Sequence, residues 1–133
     1  MAYFECNLNS GELHPLINRY KAPENHGFDM HYDASKKILD GKLPIVSGVL
    51  EFSVAPKQIT AAVGSYYYEA KNVTFYASTD GINWISLLTA SFPGDQLSHE
   101  KSQEFDVFDK GYRFFKGTGT GTNISVTLVR AYF

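Results

Sequence analysis

The sequence from Gly48 to the C-terminus consists of short runs of apolar and β-branched residues, and most of these runs end at glycine, proline or aspartate. In the last run, Ile124, Val126 and Leu128 alternate with Ser125, Thr127 and Val129, and the run continues through Arg130 to Phe133. A period of two is typical of strands, and no ten-residue window carries the apolar stripe of a helix. Because such short runs leave little room for the crossovers of parallel strands, they predict an all-β, antiparallel sandwich or barrel.

Seven strand-forming runs are predicted in this region. They are Val49 to Val54, Gln58 to Val63, Val73 to Ser78, Trp84 to Thr89, Phe105 to Phe108, Tyr112 to Lys116, and Ile124 to Phe133. The first two are either one strand bent at Ala55-Pro56 or two separate strands. The strand that begins at Val73 is predicted to be half-buried, and the one that begins at Trp84 to be more fully buried. No strand is predicted in the polar segment from Ser91 to Gln103.

The N-terminal third has a less regular hydrophobic pattern than the rest of the chain. Proline, glycine and Ser-Gly or Asp-Gly pairs interrupt residues 1–47, which show little sustained period of either kind. Short strands and wrapping loops are expected there, whereas residues 48–133 hold the regular strands. A chain of 133 residues forms one domain, and we assign residues 1–133 to a single one.

The charge of the chain and its N-terminal sequence limit the classes of binding partner and the cellular location that can be expected. The net charge is −2, and no block of Lys or Arg provides a footprint for nucleic acid or an anionic membrane. The N-terminus lacks the basic start and apolar run of a signal peptide, so synthesis in the cytoplasm and release by lysis are expected. Cys6 is the sole cysteine, which excludes a disulfide within the chain.

The stretch FYASTDGINW, residues 75–84, predicts a hairpin. Gly81 can adopt positive φ at no steric cost, and Asp80 can accept hydrogen bonds from the nearby backbone. The Ser78 hydroxyl can help to close the turn. Trp84 would then enter the returning strand and pack across from Phe75 or Ala77.

These residues also carry a resemblance to a known family. The run VTFYASTDGINWISL, with its Ser-x-Asp-Gly-x-x-Trp pattern, resembles the hairpin of discoidin-like domains, which are galactose-binding-like, coagulation factor type C β-sandwiches. FDVFDKGYRFFKGTGTG resembles the stretch before the last strands of that family, with Tyr112-Arg113 as its aromatic-Arg pair, and VLEFSVAPKQITAAVG corresponds loosely to the preceding strand pair. The resemblance covers about Gly48 to Phe133. It implies a jelly-roll-like β-sandwich of the kind found in phage tail proteins and carbohydrate-binding modules.

The resemblance implies a non-catalytic binding domain whose ligand lies on loops at one end of the sandwich. A saccharide needs aromatic faces and fixed polar groups in a shallow concavity. The best local candidates lie between two predicted strands and are Tyr66, Tyr67, Tyr68 and Glu69, with Asn72 beside them. The alternative is that these tyrosines shield the sandwich end or form an oligomer interface.

Catalytic and metal sites are not expected. The chain has no Gly-x-Ser-x-Gly elbow, and nothing in the sequence brings Glu51, Asp80 or Glu104 together as a carboxylate pair. No cofactor is predicted. The resemblance allows a structural calcium ion, but no acidic cluster like that of an EF-hand is present. HGFDMHYD places two His and two Asp residues close together, namely His26, Asp29, His31 and Asp33, and a solvated loop is the preferred interpretation.

Two hypotheses follow. The first is a lectin-like component of a bacteriophage or prophage virion, in the tail, baseplate or capsid decoration, that recognises a cell-surface carbohydrate of the host. The second is a structural assembly protein whose aromatic loops form interfaces with other virion proteins and bind no sugar. A homo-oligomer suits both, since weak sugar sites gain strength from multivalency.

Overall fold

The computed structural model of the protein describes residues 3–6, 16–20, 29–46, 48–66, 71–95, 97–120 and 124–133. Of residues 3–6, 18–20, 29 and 66 it describes the backbone. The described residues contain no helix and form eleven strands. The strands are Tyr3–Cys6 (β1), Ile17–Tyr20 (β2), Asp29–Asp33 (β3), Ile38–Pro44 (β4), Val49–Phe52 (β5), Gln58–Tyr66 (β6), Lys71–Ser78 (β7), Ile85–Phe92 (β8), Ser98–Asp106 (β9), Phe114–Gly119 (β10) and Ile124–Tyr132 (β11).

The strands form two antiparallel sheets. The six-stranded sheet has the order β1-β3-β4-β11-β6-β9, and the five-stranded sheet has the order β2-β5-β10-β7-β8. All strand pairs in the described residues are antiparallel, and an isolated bridge between Val46 and Gly117 is parallel. The predicted all-β, antiparallel sandwich is therefore confirmed.

The core lies between the two sheets. Alternate residues of β7, namely Val73, Phe75 and Ala77, are fully buried, as the period of two predicts. The Phe115 ring lies 5.7 Å from the Phe52 ring and 5.7 Å from the Phe75 ring, measured between centroids. Burying each such side chain contributes about 1.5–3 kcal/mol to stability. The cluster joins β5, β7 and β10, and the Phe75 ring stacks on Phe105 of β9 in the opposite sheet, with 6.4 Å between centroids.

The bend at Ala55-Pro56 separates two strands that lie in different sheets. β5 pairs with β10 and β2, whereas β6 pairs with β11 and β9. Of the two alternatives drawn from the sequence, two separate strands is correct.

The prediction of no strand between Ser91 and Gln103 is wrong. β8 extends to Phe92, and β9 begins at Ser98. β9 is an edge strand that pairs with β6, and nearly all its residues are exposed, so its sequence shows no apolar alternation. Its charged residues are typical of edges that resist pairing with another chain.

The expectation that the strand after Trp84 is more fully buried is also wrong. In β8, Leu88, Ala90 and Phe92 face the core, whereas 51% of the Ile85 surface is exposed. β8 is the edge of the five-stranded sheet, and its register with β7 shifts between Phe75 and Tyr76. The edge position exposes the first half of the strand.

The first part of the glycine-rich run after Lys116 lies within a strand. The structure places Lys116 to Gly119 within β10, in regular register with β7. A Cβ atom on Gly117 would lie 2.5 Å from the Val126 Cβ atom of the opposite sheet. Glycine at this position therefore permits the close approach of the two sheets.

Candidate functional site

The predicted tyrosine loop lies mostly outside the described residues. Tyr67, Tyr68 and Glu69 are not described, and Tyr66 is the last residue of β6, described by its backbone alone. Asn72 is exposed on β7, where its Oδ1 atom accepts a hydrogen bond of 2.7 Å from the Ser91 hydroxyl. The loop therefore stays a prediction, and Asn72 belongs to a sheet surface.

β7 and β8 form an antiparallel hairpin, and Asp80 and Gly81 lie in its turn. The Asp80 carboxylate accepts backbone N–H groups from Ile82 and Asn83, each at 2.8 Å, and the Asn83 side-chain amide at 2.8 Å. The Ser78 hydroxyl donates to Asp80 at 2.9 Å and accepts the Gly81 N–H at 2.9 Å. Gly81 has a φ of 77°.

These bonds fix the ionisation of Asp80. The backbone N–H groups of Asn83 and Ile82, in that order, and then the side chains of Asn83 and Ser78 hold the pKa of Asp80 well below its ordinary value. Hydrogen bonds to the charged form are the cause of such a shift. A carboxylate that stabilises its own turn in this way is poorly suited to act as a general acid near neutral pH.

Trp84 does not pack across from Phe75 or Ala77, so that prediction is wrong. The cross-strand partner of Ala77 is Ile85, and that of Phe75 is Leu88. The Trp84 ring instead lies against Lys116, whose Nζ atom is 4.3 Å from the ring centroid. By alternation alone Trp84 would face the core with Leu88 and Ala90. The register shift between Phe75 and Tyr76 reverses the alternation at the start of β8, so the Trp84 ring lies on the outer face of the sheet.

Four side chains form what we call the aromatic face, on the outside of the five-stranded sheet. They are Tyr76, Trp84, Phe114 and Lys116, all half-buried. Lys116 and Tyr76 are direct cross-strand partners, and the Lys116 Nζ atom lies 5.5 Å from the Tyr76 ring centroid as well as over Trp84. An ammonium group held between two rings is stabilised by their electron-rich faces, by about 0.5–1 kcal/mol at an exposed site.

Polar side chains continue the same surface along β7 and β8. We call this set the hydroxyl ladder, and its members are Asn72, Thr74, Ser86, Thr89 and Ser91. The Thr89 hydroxyl lies 3.4 Å from that of Thr74 and 3.2 Å from that of Ser86. Their hydrogen bonds hold these groups in place, and an exposed hydroxyl retains further capacity to donate and accept.

Arg113 flanks the aromatic face and joins β10 to β5. Its Nε atom donates to the Phe52 carbonyl oxygen at 3.1 Å, and its Nη2 atom lies 3.6 Å from a Glu51 carboxylate oxygen. Its guanidinium lies 5.6 Å from the Phe114 ring centroid. The Arg113 and Glu51 charges offset each other, so Lys116 supplies the positive charge of the face.

A second surface lies on the outside of the six-stranded sheet. The register of β11 shifts between Leu128 and Arg130 against both of its neighbours. Leu128 and Ala131 are both fully buried, so this bulge at Val129 reverses the alternation and turns Arg130 outward. The sequence pattern continued through Arg130 without interruption, which is why sequence reasoning missed this residue.

The bulge places Arg130 in a row with two other polar residues. His31, Asp40 and Arg130 are cross-strand partners on β3, β4 and β11. The Arg130 Nη2 atom donates to the Asp40 carboxylate at 2.8 Å, and its Nη1 atom donates to the Tyr132 hydroxyl at 3.4 Å. These hydrogen bonds, that with Asp40 first, raise the pKa of Arg130 above its ordinary value.

The row borders a cleft of about 500 Å³, which we call the Arg130 cleft. Its lining includes His31, Asp33, Lys36, Ile38, Asp40 and Arg130. Asp33 is buried and shapes the turn after β3, since its Oδ1 atom accepts the Ser35 hydroxyl at 2.6 Å and the Ser35 N–H at 3.0 Å. The Ser35 hydroxyl is the main cause that lowers the pKa of Asp33.

The interpretation of HGFDMHYD as a solvated loop is wrong for its described part, because Asp29 to Asp33 form β3. His26 lies outside the described residues. Within the described part of the chain, no three His, Cys, Asp or Glu side chains are grouped in a way that could hold a metal ion. No helix among those residues has the length and apolar character needed to cross a membrane.

The strands and surfaces described above define the chain as an antiparallel β-sandwich protein with two outward-facing polar surfaces, one on each sheet. Comparison with protein-family profiles and with curated proteins finds no match to the chain.

Proposed function

We propose that this protein is a non-catalytic binding module that recognises a cell-surface carbohydrate through the aromatic face and the hydroxyl ladder. The observation that carries the proposal is the position of the Lys116 ammonium group, held over Trp84 and beside Tyr76 on an outward surface. The hydroxyl and amide groups of the ladder continue that surface.

The chemistry of the face favours an acidic glycan. Lys116 lies over one side of the Trp84 ring, so this part of the face offers a positive charge as well as an aromatic surface. A glycan that bears carboxylate or phosphate groups can bind the ammonium, and its hydroxyl groups can exchange hydrogen bonds with the ladder. Exposed parts of the rings can contact the C–H side of a sugar.

The dimensions of the surface suit a glycan chain. Along β7 the surface runs from Asn72 to the level of Phe114, the cross-strand partner of the buried Ser78, a length of about 20 Å. Three strands, β10, β7 and β8, lie side by side under it and give it a width of about 10 Å. A shallow surface of this size can bind several sugar units of one chain.

A glycan array with two variants tests the proposal. Trp84→Ala removes the ring under the ammonium, and Lys116→Gln removes the charge. Both are expected to weaken binding of acidic glycans about tenfold or more, since a hydrogen bond to a charged group contributes about 1.5–3 kcal/mol. Binding by the wild type is expected to weaken as salt is added.

Lys101→Gln is the matched control, because it removes one positive charge from the exposed strand β9 of the other sheet. It should leave the array profile unchanged. If Trp84→Ala and Lys116→Gln also keep the wild-type profile, the proposal fails. Alanine substitutions at Tyr66, Tyr67, Tyr68 and Glu69, in the same assay, distinguish the predicted loop from the aromatic face.

A specific observation supports the alternative of a structural assembly protein. Large apolar side chains are exposed on three turns, with exposed fractions of 54% for Val54, 79% for Ile82 and 57% for Phe108. The turns lie at one end of the sandwich, since Val107 N–H donates to the Lys57 carbonyl and Arg113 N–H to the Ser78 carbonyl. Exposed apolar residues grouped in this way are typical of protein interfaces.

The two functions predict different results for Ile82→Ser and Phe108→Ser. If the turns form an interface between copies, both variants lower the particle mass measured by light scattering and leave glycan binding per chain intact. If they do not, the mass is unchanged. The virion setting is supported by the resemblance of the sequence to domains found in phage tail proteins, and tail or capsid genes beside this one would be its simplest test.

A further inference from the structure

We infer that the Arg130 cleft is a second binding site, which takes a neutral saccharide of one or two rings through adjacent hydroxyl groups. The cleft lies on the outer face of the six-stranded sheet, opposite the aromatic face. Its residues differ from those of the aromatic face, so this inference does not depend on the function proposed above.

The fold turns Arg130 toward the cleft. In a regular strand, Arg130 would follow Val126 and Leu128 into the core. The bulge at Val129 interrupts the ladder with both neighbouring strands and turns Arg130 toward Asp40. Bulges of this kind recur beside binding sites, where they redirect a side chain.

The cleft contains both hydrogen-bond donors and acceptors. The Asp40 carboxylate accepts one hydrogen bond from Arg130, and Arg130 donates a second to Tyr132. A carboxylate has about four acceptor positions and a guanidinium five N–H donors, so both groups retain capacity for a ligand. Adjacent hydroxyls of a sugar can each donate to the carboxylate and accept from the guanidinium.

The charge balance indicates that the ligand is neutral. Lys36 and Arg130 bring two positive charges to the lining, and Asp33 and Asp40 bring two negative ones. An anion would have to compete with Asp40 for the Arg130 guanidinium, at a place where the Arg130 hydrogen bond to Asp40 is 2.8 Å long. A hydroxyl group can bind this pair without separating it.

Apolar surface and volume fit the same class of ligand. Ile38 and Tyr132 are cross-strand partners beside the charged pair, and both are partly exposed. They can contact the C–H side of a sugar ring while its hydroxyls bind Asp40 and Arg130. The volume of about 500 Å³ lies within the range of small-molecule sites.

The test is a titration of the full chain, labelled with ¹⁵N, against galactose, glucose, mannose and N-acetylglucosamine at millimolar concentrations. At least one of these sugars is expected to shift the backbone amide signals of His31, Asp40 and Arg130. Inorganic phosphate and galacturonate should shift these signals less. Either Asp40→Asn or Arg130→Lys should weaken the sugar affinity about tenfold or more.

Arg130→Lys keeps the charge and removes the planar fork, so it separates geometry from charge. Both side chains are about half exposed, which favours folded variants, and Lys101→Gln should bind like the wild type. The inference is overturned if none of the four sugars shifts these amides, if only the anions do, or if Asp40→Asn and Arg130→Lys bind as the wild type does. Sugar-induced shifts confined to Tyr76, Trp84 and Lys116 would overturn it while leaving the proposed function intact.

Discussion

Asp80 holds the turn between β7 and β8 through four hydrogen bonds to its carboxylate, from Ser78, Ile82 and twice from Asn83. These bonds require the ionised form, because a protonated carboxyl group is a weaker acceptor. The same residue that identifies the hairpin in the sequence is therefore also a source of pH-dependent stability.

Asp80 should make the stability of the protein fall in acid. Because its folded-state pKa is depressed, its contribution is fully present above its ordinary pKa of 3.8 and is lost as the pH falls toward the lower folded value. The difference in unfolding free energy between the wild type and Asp80→Asn should therefore shrink as the pH falls below about 4. Urea unfolding of both proteins at a series of acid pH values measures this difference in unfolding free energy.

The comparison with Asp80→Asn is needed because the pKa values of Asp33 and Asp95 are also lowered. These two residues give the wild type and the variant the same acid dependence, so it cancels in the difference. A difference that stays constant over the acid range would show that the Asp80 carboxylate does not stabilise the fold through its charge.

Gly81 and Gly111 both have positive φ, but they differ in how much space a side chain would find. Gly81 and Gly111 have φ values of 77° and 70°, so alanine at either position should cost about 1–2 kcal/mol. A Cβ atom on Gly81 would also lie 3.1 Å from the Phe114 ring, whereas the nearest atom to one on Gly111 is 3.9 Å away. Gly81→Ala should therefore lower the unfolding free energy more than Gly111→Ala. Thermal unfolding measures both changes in unfolding free energy. If the two variants lose the same amount, the Phe114 ring moves aside at no cost in stability.

At the scale of the strands, β10 depends on glycine where it approaches the opposite sheet. A Cβ atom on Gly117 would meet the Val126 Cβ atom at 2.5 Å, and that atom cannot move without the β11 backbone. On Gly119 the nearest atom is the Ile124 Cδ1 atom, at the flexible end of its side chain. A side chain at position 119 can therefore be accommodated by a rotation of Ile124, whereas one at position 117 requires the backbone of β11 to shift.

Gly117→Ala should therefore destabilise the protein more than Gly119→Ala. Overpacking of a core costs about 1–3 kcal/mol, and Gly117→Ala is expected at or above the upper end of that range. Gly119→Ala should lie near the lower end. Denaturant midpoints of the two variants give the comparison, and a larger loss for Gly119→Ala would contradict the close approach of β10 and β11.

The elements differ in how far the sequence could reveal them. β7 and the hairpin turn carry both apolar alternation and an Asp-Gly pair, so the sequence located them. Most residues of β9 are exposed, so it carries no apolar period, and its pairing with β6 is a long-range contact that local patterns do not encode. No local sequence pattern indicates the bulge at Val129 either. The outward position of Arg130 depends on that bulge, so it could not be predicted.

The aromatic face also depends on strand pairing that local sequence patterns do not reveal. Trp84 was singled out in the sequence, but Lys116 was not, because it comes from β10 and meets the β7–β8 hairpin only in the folded sheet. A single lysine before a glycine-rich run has no feature that marks it as part of a site. Surfaces assembled from cross-strand partners are visible only once the register is known.

At the scale of the whole molecule, the sandwich separates its two surfaces by the thickness of the core. The two sheets pack about 10 Å apart, and Trp84 and Arg130 project from their opposite outer faces. The core between them is continuous and includes residues of both sheets, such as Phe115 and Leu128. Neither surface shares a residue with the other, so each can be changed alone.

Changes to the two surfaces should therefore be additive. The stability effects of Trp84→Ala and Arg130→Gln are expected to sum to that of the double variant within about 0.5 kcal/mol, because distant sites without shared partners behave independently. Trp84→Ala should weaken the binding of acidic glycans about tenfold or more and leave the binding of neutral monosaccharides intact, and Arg130→Gln should do the reverse. Denaturant unfolding and the two binding assays on all three variants measure this. If either single variant weakens both kinds of binding, or the double variant departs from the sum, the surfaces are coupled through the core and cannot be two separate sites.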